Sequence, residues 1–279
     1  MSSLDKKNLA IRIAVAAIGI PSLLYLAGAG KFYFLILVCI AAAIGTREFS
    51  KIAFGNGVKF PALGISVLIC ILLVSIYLDK IVLVYPLALA GFFMIALLAL
   101  RAPLELAART LATSLLGFAY LSLFCFWILI REVSGIPSPD YTLGGQWMIS
   151  LFLMVWSCDT AAYFGGKWLG KHKLAPRISP AKTKEGAVFG LAGALLAAGI
   201  IDLLVFNSLG LFNLMLVGLL VGTVGQLGDL VESMLKRSSG LKDTSTLIPG
   251  HGGVLDRFDS LLFVAPWVYL YLRWIVFNV

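Results

Sequence analysis

Apolar stretches of about 20 residues follow one another along this chain with little between them, and no other feature limits its fold so tightly. A hydrocarbon core about 30 Å thick is crossed by roughly 20 apolar residues in helical form. Nine segments fit that description, at 9–29, 32–46, 61–77, 81–100, 110–130, 147–165, 186–205, 211–230 and 260–277. The second is short and is expected to tilt or to insert only halfway. Of the 279 residues, 60% are hydrophobic and 13% charged, about half the charged share of an ordinary soluble domain. So few charges cannot cover a soluble core of this size. Soluble enzymes, disordered chains and fibrous proteins are excluded. The expectation is an all-α, polytopic integral membrane protein with about nine transmembrane helices.

Lysine and arginine placement gives the topology. With the N-terminus inside, only Lys31, Lys80, Arg131 and Arg273 of the 22 basic residues fall outside. Such a bias supports nine spans with a cytoplasmic N-terminus and an external C-terminus. The net charge of +8 is then mainly loop charge, suited to anionic headgroups or phosphorylated substrates, and no nucleic-acid partner is expected. Lys6 and Lys7 precede the first apolar run, as in a signal peptide. No small-x-small cleavage site leads into a soluble domain, so the first helix is expected to be retained. Cys39, Cys70, Cys125 and Cys158 lie in apolar stretches without CxxC spacing and read as small core residues.

Polarity divides the chain unevenly. Residues 1–146 form an N-terminal transmembrane region of about five spans joined by short connections. Residues 147–279 form a C-terminal transmembrane catalytic region of about four spans, with long polar loops expected on the cytoplasmic side. A linker is expected at 132–145, with Pro137, Pro139 and two glycines near its end.

Three constellations carry chemistry. In the first, Asp159 lies inside the sixth apolar segment. A carboxylate facing lipid costs at least a few kcal/mol, so Asp159 must meet a cavity, a cation or a partner. Asp159, Tyr163 and Gly166 fall at i, i+4 and i+7, on one helix face. Pairing with a lysine for packing alone is the plainer alternative. The second is Ser179-Pro-Ala-Lys182-Thr183-Lys-Glu185-Gly186, a compact turn just before a span, within a loop of six basic residues. A positive-inside loop explains part of that charge. The turn adds hydroxyl and ammonium donors from Ser179, Lys182 and Thr183 that suit phosphate oxygens.

The third constellation is the densest. Asp229 follows Gly222, Gly225 and Gly228, small residues that permit close helix approach. If that helix continues, Asp229, Ser233 and Lys236 share a face at i, i+4 and i+7. Arg237, Lys242 and Asp243 follow, then Pro249-Gly-His251-Gly252-Gly253, where a glycine-rich turn lets backbone and imidazole crowd a ligand. Asp256, Arg257 and Asp259 stand at the mouth of the ninth span. Carboxylates at a helix start are ordinary, and a turn histidine is often satisfied by backbone. Three carboxylates near one membrane face, however, repel unless a cation joins them. Hard oxygen donors beside phosphates suit Mg²⁺, with Asp229, Asp256 and Asp259 as its ligands. Clustered carboxylates permit one cation or two. No cysteine or histidine has zinc-like spacing.

Ser233-Met-Leu-Lys236-Arg237, Lys242-Asp243-Thr-Ser and Ile248-Pro-Gly-His251-Gly-Gly-Val-Leu-Asp256-Arg257-Phe-Asp259 together resemble the signature of phosphatidate cytidylyltransferases (CDP-diacylglycerol synthases). Asp159-Thr-Ala-Ala-Tyr163 and Ser179-Pro-x-Lys182-Thr183-x-Glu185-Gly also resemble motifs of that family, with Ala181 where a polar residue is common. The likeness covers roughly 156–260; the first half is similar only in being hydrophobic helices. It implies Mg²⁺-dependent conversion of CTP and phosphatidate to CDP-diacylglycerol and pyrophosphate, in the bacterial inner membrane, feeding phospholipid synthesis. On that reading Asp229, Asp256, Asp259, Lys236, Arg237, Lys242, Asp243, His251 and Arg257 are the catalytic candidates. Asp159, Ser179, Lys182, Thr183, Glu185, Ser233, Gly252 and Gly253 are the substrate-binding ones.

Three rivals stand beside it. A CTP-dependent lipid kinase would release CDP instead of pyrophosphate. A CDP-alcohol phosphotransferase would carry a D-x₂-D-G-x₂-A-R block, which is absent from the sequence. A transporter for an anionic solute would use Asp159 and Asp229 as coupling-ion sites, but the polar residues crowd one membrane face. A homodimer is compatible with the sequence, because an apolar helix face reads the same against lipid or against a second copy.

Overall fold

A helix satisfies its own backbone groups, which is what a lipid-facing segment requires. The computed structural model is accordingly helical almost throughout. It describes residues 3–133, 141–206, 208–245, 247 and 252–278, with backbone alone for 3–12. The first helices are α1 (Ser3–Ala29), α2 (Lys31–Gly55), α3 (Ala62–Tyr77), α4 (Val84–Leu100), α5 (Leu104–Ser122) and α6 (Cys125–Arg131). After them come α7 (Thr142–Leu169), α8 (Lys184–Leu204), α9 (Leu211–Leu220), α10 (Gln226–Ser238) and α11 (Leu255–Tyr271). A small antiparallel hairpin, β1 (Lys173–Ala175) and β2 (Ser179–Thr183), separates α7 from α8.

Among the described residues, seven helical stretches are long and apolar enough to cross a membrane, and two shorter apolar helices, Ile13–Ala29 and Ala62–Tyr77, accompany them. The chain is a multi-pass membrane protein. The second apolar segment corrects the sequence reading. It is not short, because α2 runs for 25 residues to Gly55. Arg47, Glu48 and Lys51 end the hydropathy signal without ending the helix. The fifth segment is two helices with a break at Leu123–Phe124. The eighth passes through a π-helical turn at Val221–Gly225 before α10, a distortion often found beside functional sites.

The helices form two compact units that interleave along the chain. One comprises Met1–Ile128 and Leu235–Arg257; the other comprises Leu129–Met234 and Phe258–Val279. In the first, α2 packs on α3 and α5. The Phe49 ring sits 5.2 Å from Phe60 and 6.4 Å from Tyr120. Gly117 of α5 leaves room for the Phe49 and Phe60 rings. The Ile81–Leu100 stretch is only 11% buried. Its outward Val82, Tyr85, Leu89, Phe93, Leu97 and Leu100 form an apolar surface that a soluble monomer would not carry.

In the second unit α7 and α8 make the closest helix pair. Gly186, Gly190 and Gly193 recur along α8 and let it approach the α7 backbone, the small-residue device of membrane helix packing. A Cβ on Gly193 would stand 2.5 Å from Ala161 Cβ and 2.9 Å from the Ser157 carbonyl. Gly193→Ala is therefore expected to cost about 1–3 kcal/mol by overpacking, read as a lowered midpoint of thermal unfolding in detergent. An unchanged midpoint would mean that the two helices separate at no cost. All four cysteines are free thiols; Cys125 and Cys158 are buried as core residues, whereas Cys39 and Cys70 are only half-buried.

Candidate active site

The second unit holds a cavity of about 320 Å³, at the small end of the ligand-pocket range. α7 contributes Asp159, Tyr163 and Gly166, the three residues expected on one face. The hairpin adds Lys182 and Thr183, α8 adds Gly186, and α10 adds Gln226 and Asp229. Lys182 and Asp229 form an ion pair, with 28% and 32% of their side chains exposed. A hydrated ammonium and carboxylate in one cavity wall can exchange each other for ligand phosphate or cation.

Local structure explains how the hairpin presents Lys182. Thr183 is the N-cap of α8, its hydroxyl accepting the Gly186 N–H at 3.1 Å. Glu185, in the first turn of α8, accepts the backbone N–H of Lys171 at 3.1 Å and of His172 at 3.2 Å, and lies 2.6 Å from His172 Nδ1. Both residues therefore clamp the two ends of the hairpin to α8. Ser179 opens β2 and is half-buried. Gln226, which the sequence reading did not single out, donates to the carbonyls of Ala187 at 3.0 Å and Gly222 at 2.6 Å. It ties α10 to α8 across the cavity wall.

Asp259 is 8% exposed, with Asp229, Glu232 and Asp159 close enough to act on it electrostatically. Glu232 itself is 1% exposed. Four carboxylates in one neighbourhood repel, and a hard divalent cation relieves that repulsion. The oxygen-only donor set fits Mg²⁺. Among the described residues, no three acidic, histidine or cysteine side chains already stand in coordinating array.

The first unit carries the rest of the signature. Asp256 Oδ1 accepts Lys236 Nζ at 2.6 Å, and the two side chains are 5% and 10% exposed. Asp256 Oδ2 accepts the Gly253 N–H at 2.7 Å, the Thr244 hydroxyl at 2.9 Å and the Thr244 N–H at 3.1 Å. Asp256 is thus already fully engaged, and ligating a cation would mean exchanging Lys236 for it. Arg237, Lys242, Asp243 and Arg257 are exposed, and Arg237 donates to the Leu241 carbonyl at 3.2 Å. Ser233, which belongs to the second unit, is half-buried on α10. Gly252 has φ of 86°, a left-handed conformation that favours glycine. His251 lies outside the described residues. Glu48, which hydropathy assigned to a loop, is 2% exposed and bonded into this same network.

A sequence model described as the cytidylyltransferase family matches residues 10–275. The chain belongs to that family. A protein named phosphatidate cytidylyltransferase from Synechocystis is 35% identical over 93% of this chain and 95% of its own length. Proteins of the same name from Bacillus subtilis and Staphylococcus saprophyticus are 51% and 47% identical, over 43% and 44% of this chain and 45% and 47% of their own lengths. The family match spans the hydrophobic first half as well as the motif-bearing second.

Proposed function

We propose that this chain is a phosphatidate cytidylyltransferase, joining CTP and phosphatidate into CDP-diacylglycerol and pyrophosphate. The near-full-length similarity to a protein of that name carries the reading. The paired charges in the α7–hairpin–α10 cavity supply suitable chemistry.

A phosphate oxygen of phosphatidate attacks the α-phosphorus of CTP. One P–O bond forms, the bond from the α-phosphorus to the bridging oxygen of the β-phosphate breaks, and pyrophosphate leaves. The nucleophile is already anionic, so the site needs alignment and charge neutralisation instead of a strong base. Lys182 meets phosphate charge from the hairpin. Lys236, Arg237, Lys242 and Arg257 supply further cationic charge, with Asp243, Ser179 and Ser233 as polar contacts and His251 as a positional or phosphate-binding group. Asp159 and Tyr163 shape the cavity wall. Bound Mg²⁺ would neutralise the phosphates, with Asp229 and Asp259 fitting it best and Asp256 as the third candidate ligand. The proposal also takes all nine apolar helices as spans of a bacterial inner membrane, with the N-terminus and the site cytoplasmic, and the exposed α4 face set against lipid or a second copy.

The test is incubation of purified protein with phosphatidate, CTP and Mg²⁺, with products identified by mass spectrometry. CDP-diacylglycerol and pyrophosphate are expected, abolished by EDTA and restored by excess Mg²⁺. CDP with a newly phosphorylated lipid would make the chain a kinase. Absence of turnover in lipid that keeps it folded would overturn the reading.

A further inference from the structure

Glu48 lies far from every motif in the sequence, yet its carboxylate gathers the signature segment of the first unit. Oε1 accepts the Ser245 hydroxyl at 2.5 Å and the Val254 N–H at 3.0 Å. Oε2 accepts the Leu255 N–H at 2.8 Å and the Thr244 hydroxyl at 3.2 Å. One carboxylate thus joins the stretch after Lys242 to the first turn of α11. Lys51, one turn further along α2, donates to the Thr244 carbonyl at 3.2 Å. A second observation agrees. A Cβ on Gly253 would lie 2.6 Å from Glu48 Oε1, so this backbone approaches Glu48 as only glycine allows.

Thr244 is the side chain that bonds both Glu48 and the reactive end of the signature. Thr244 Oγ1 lies 3.2 Å from Glu48 and 2.9 Å from Asp256, and its single proton serves one carboxylate at a time. Asp256 then holds Lys236. A purely structural anchor would need only the two backbone N–H groups. The hydroxyl contact links Glu48 to the orientation of the Asp256–Lys236 pair.

We propose that Glu48 is a positioning residue for cytidylyl transfer, setting the Asp256–Lys236 pair through Thr244. This rests on the function proposed above. Glu48→Gln is a sharp probe because an amide NH₂ would face a backbone N–H whichever way it turned. Thr244→Val removes only the bridging hydroxyl, and Thr244→Ser keeps it.

Steady-state kinetics of the full-length protein in phosphatidate-containing micelles provide the test. E48Q and T244V are each expected to lower kcat at least about tenfold, since small misplacements at a reacting site cost up to about a hundredfold. KM for CTP should stay within about twofold, the mark of an interaction used in the transition state. T244S should restore kcat, and the E48Q/T244V double variant should be no slower than the slower single, as residues in one network behave. Wild-type kcat in either single variant, multiplicative losses, or a kcat loss that only tracks the folded fraction would each overturn the proposal. If E48Q yields no folded protein, the T244V and T244S pair decides. Inactive wild-type protein would instead count against the proposed function, so the two failures are separable.

Discussion

Asp229→Asn is expected to lower kcat by about a thousandfold or more, the scale at which removing a key electrostatic group acts, while the protein stays folded. The substitution keeps the size and shape of the side chain and removes its negative charge. Asp229 lines the cavity, pairs with Lys182 and acts electrostatically on Asp259. Its charge is therefore available to a cation or to the lysine that meets phosphate. Stability should barely move, because both members of the pair are about a third exposed and hydrated pairs contribute about 0–1 kcal/mol. Turnover and thermal midpoint measured on the same preparation give the check. Near-normal turnover would remove Asp229 from the metal and phosphate machinery.

Lys236→Ala should behave differently, losing stability as well as activity. Its partner Asp256 is only 5% exposed. Removing one member of a buried pair typically costs about 3–5 kcal/mol, because the remaining charge stays behind without its counter-ion. Thr244 and Gly253 still donate to Asp256, which places the expectation toward the lower end. Replacing both partners by apolar residues, as in Lys236→Met with Asp256→Leu, should recover only part of the lost midpoint, because two desolvated charges disappear together while the Gly253 and Thr244 donors lose their acceptor. That double variant should remain inactive. A Lys236→Ala protein as stable as wild type would mean that water reaches the pair.

The contrast between these two lysine–aspartate pairs was only partly legible in the sequence. Helical spacing placed Asp159, Tyr163 and Gly166 on one face, and they do line one cavity wall. Periodicity settles such a question because it acts within a single element. The Lys182–Asp229 pair was not foreseen, since it joins a hairpin to a helix and no local rule connects them. Thr183 was read as a substrate contact for its hydroxyl, and Glu185 from its place in the family motif. Their hydrogen bonds serve the α8 cap and the hairpin ends, and Thr183 also lines the cavity. Glu48 was missed for a simpler reason. Hydropathy falls at Arg47, so the apolar run ends there, whereas the helix continues to Gly55. A hydropathy profile reports what lipid would accept and not where hydrogen bonding stops. The nearly all-helical architecture was legible throughout, because a bilayer leaves the backbone few other choices.

The partners of Glu48 lie late in the chain, with Thr244 196 residues further on. A ribosome adding about 5–20 residues per second leaves that carboxylate waiting for roughly 10–40 seconds after α2 emerges. During that interval Glu48 has none of the four donors it meets in the finished fold. The end of α2 then has to stay in water or beside the insertion machinery until residues 235–257 arrive. The first unit can close only when synthesis is nearly complete, so premature termination anywhere before α11 would leave Glu48 without its socket.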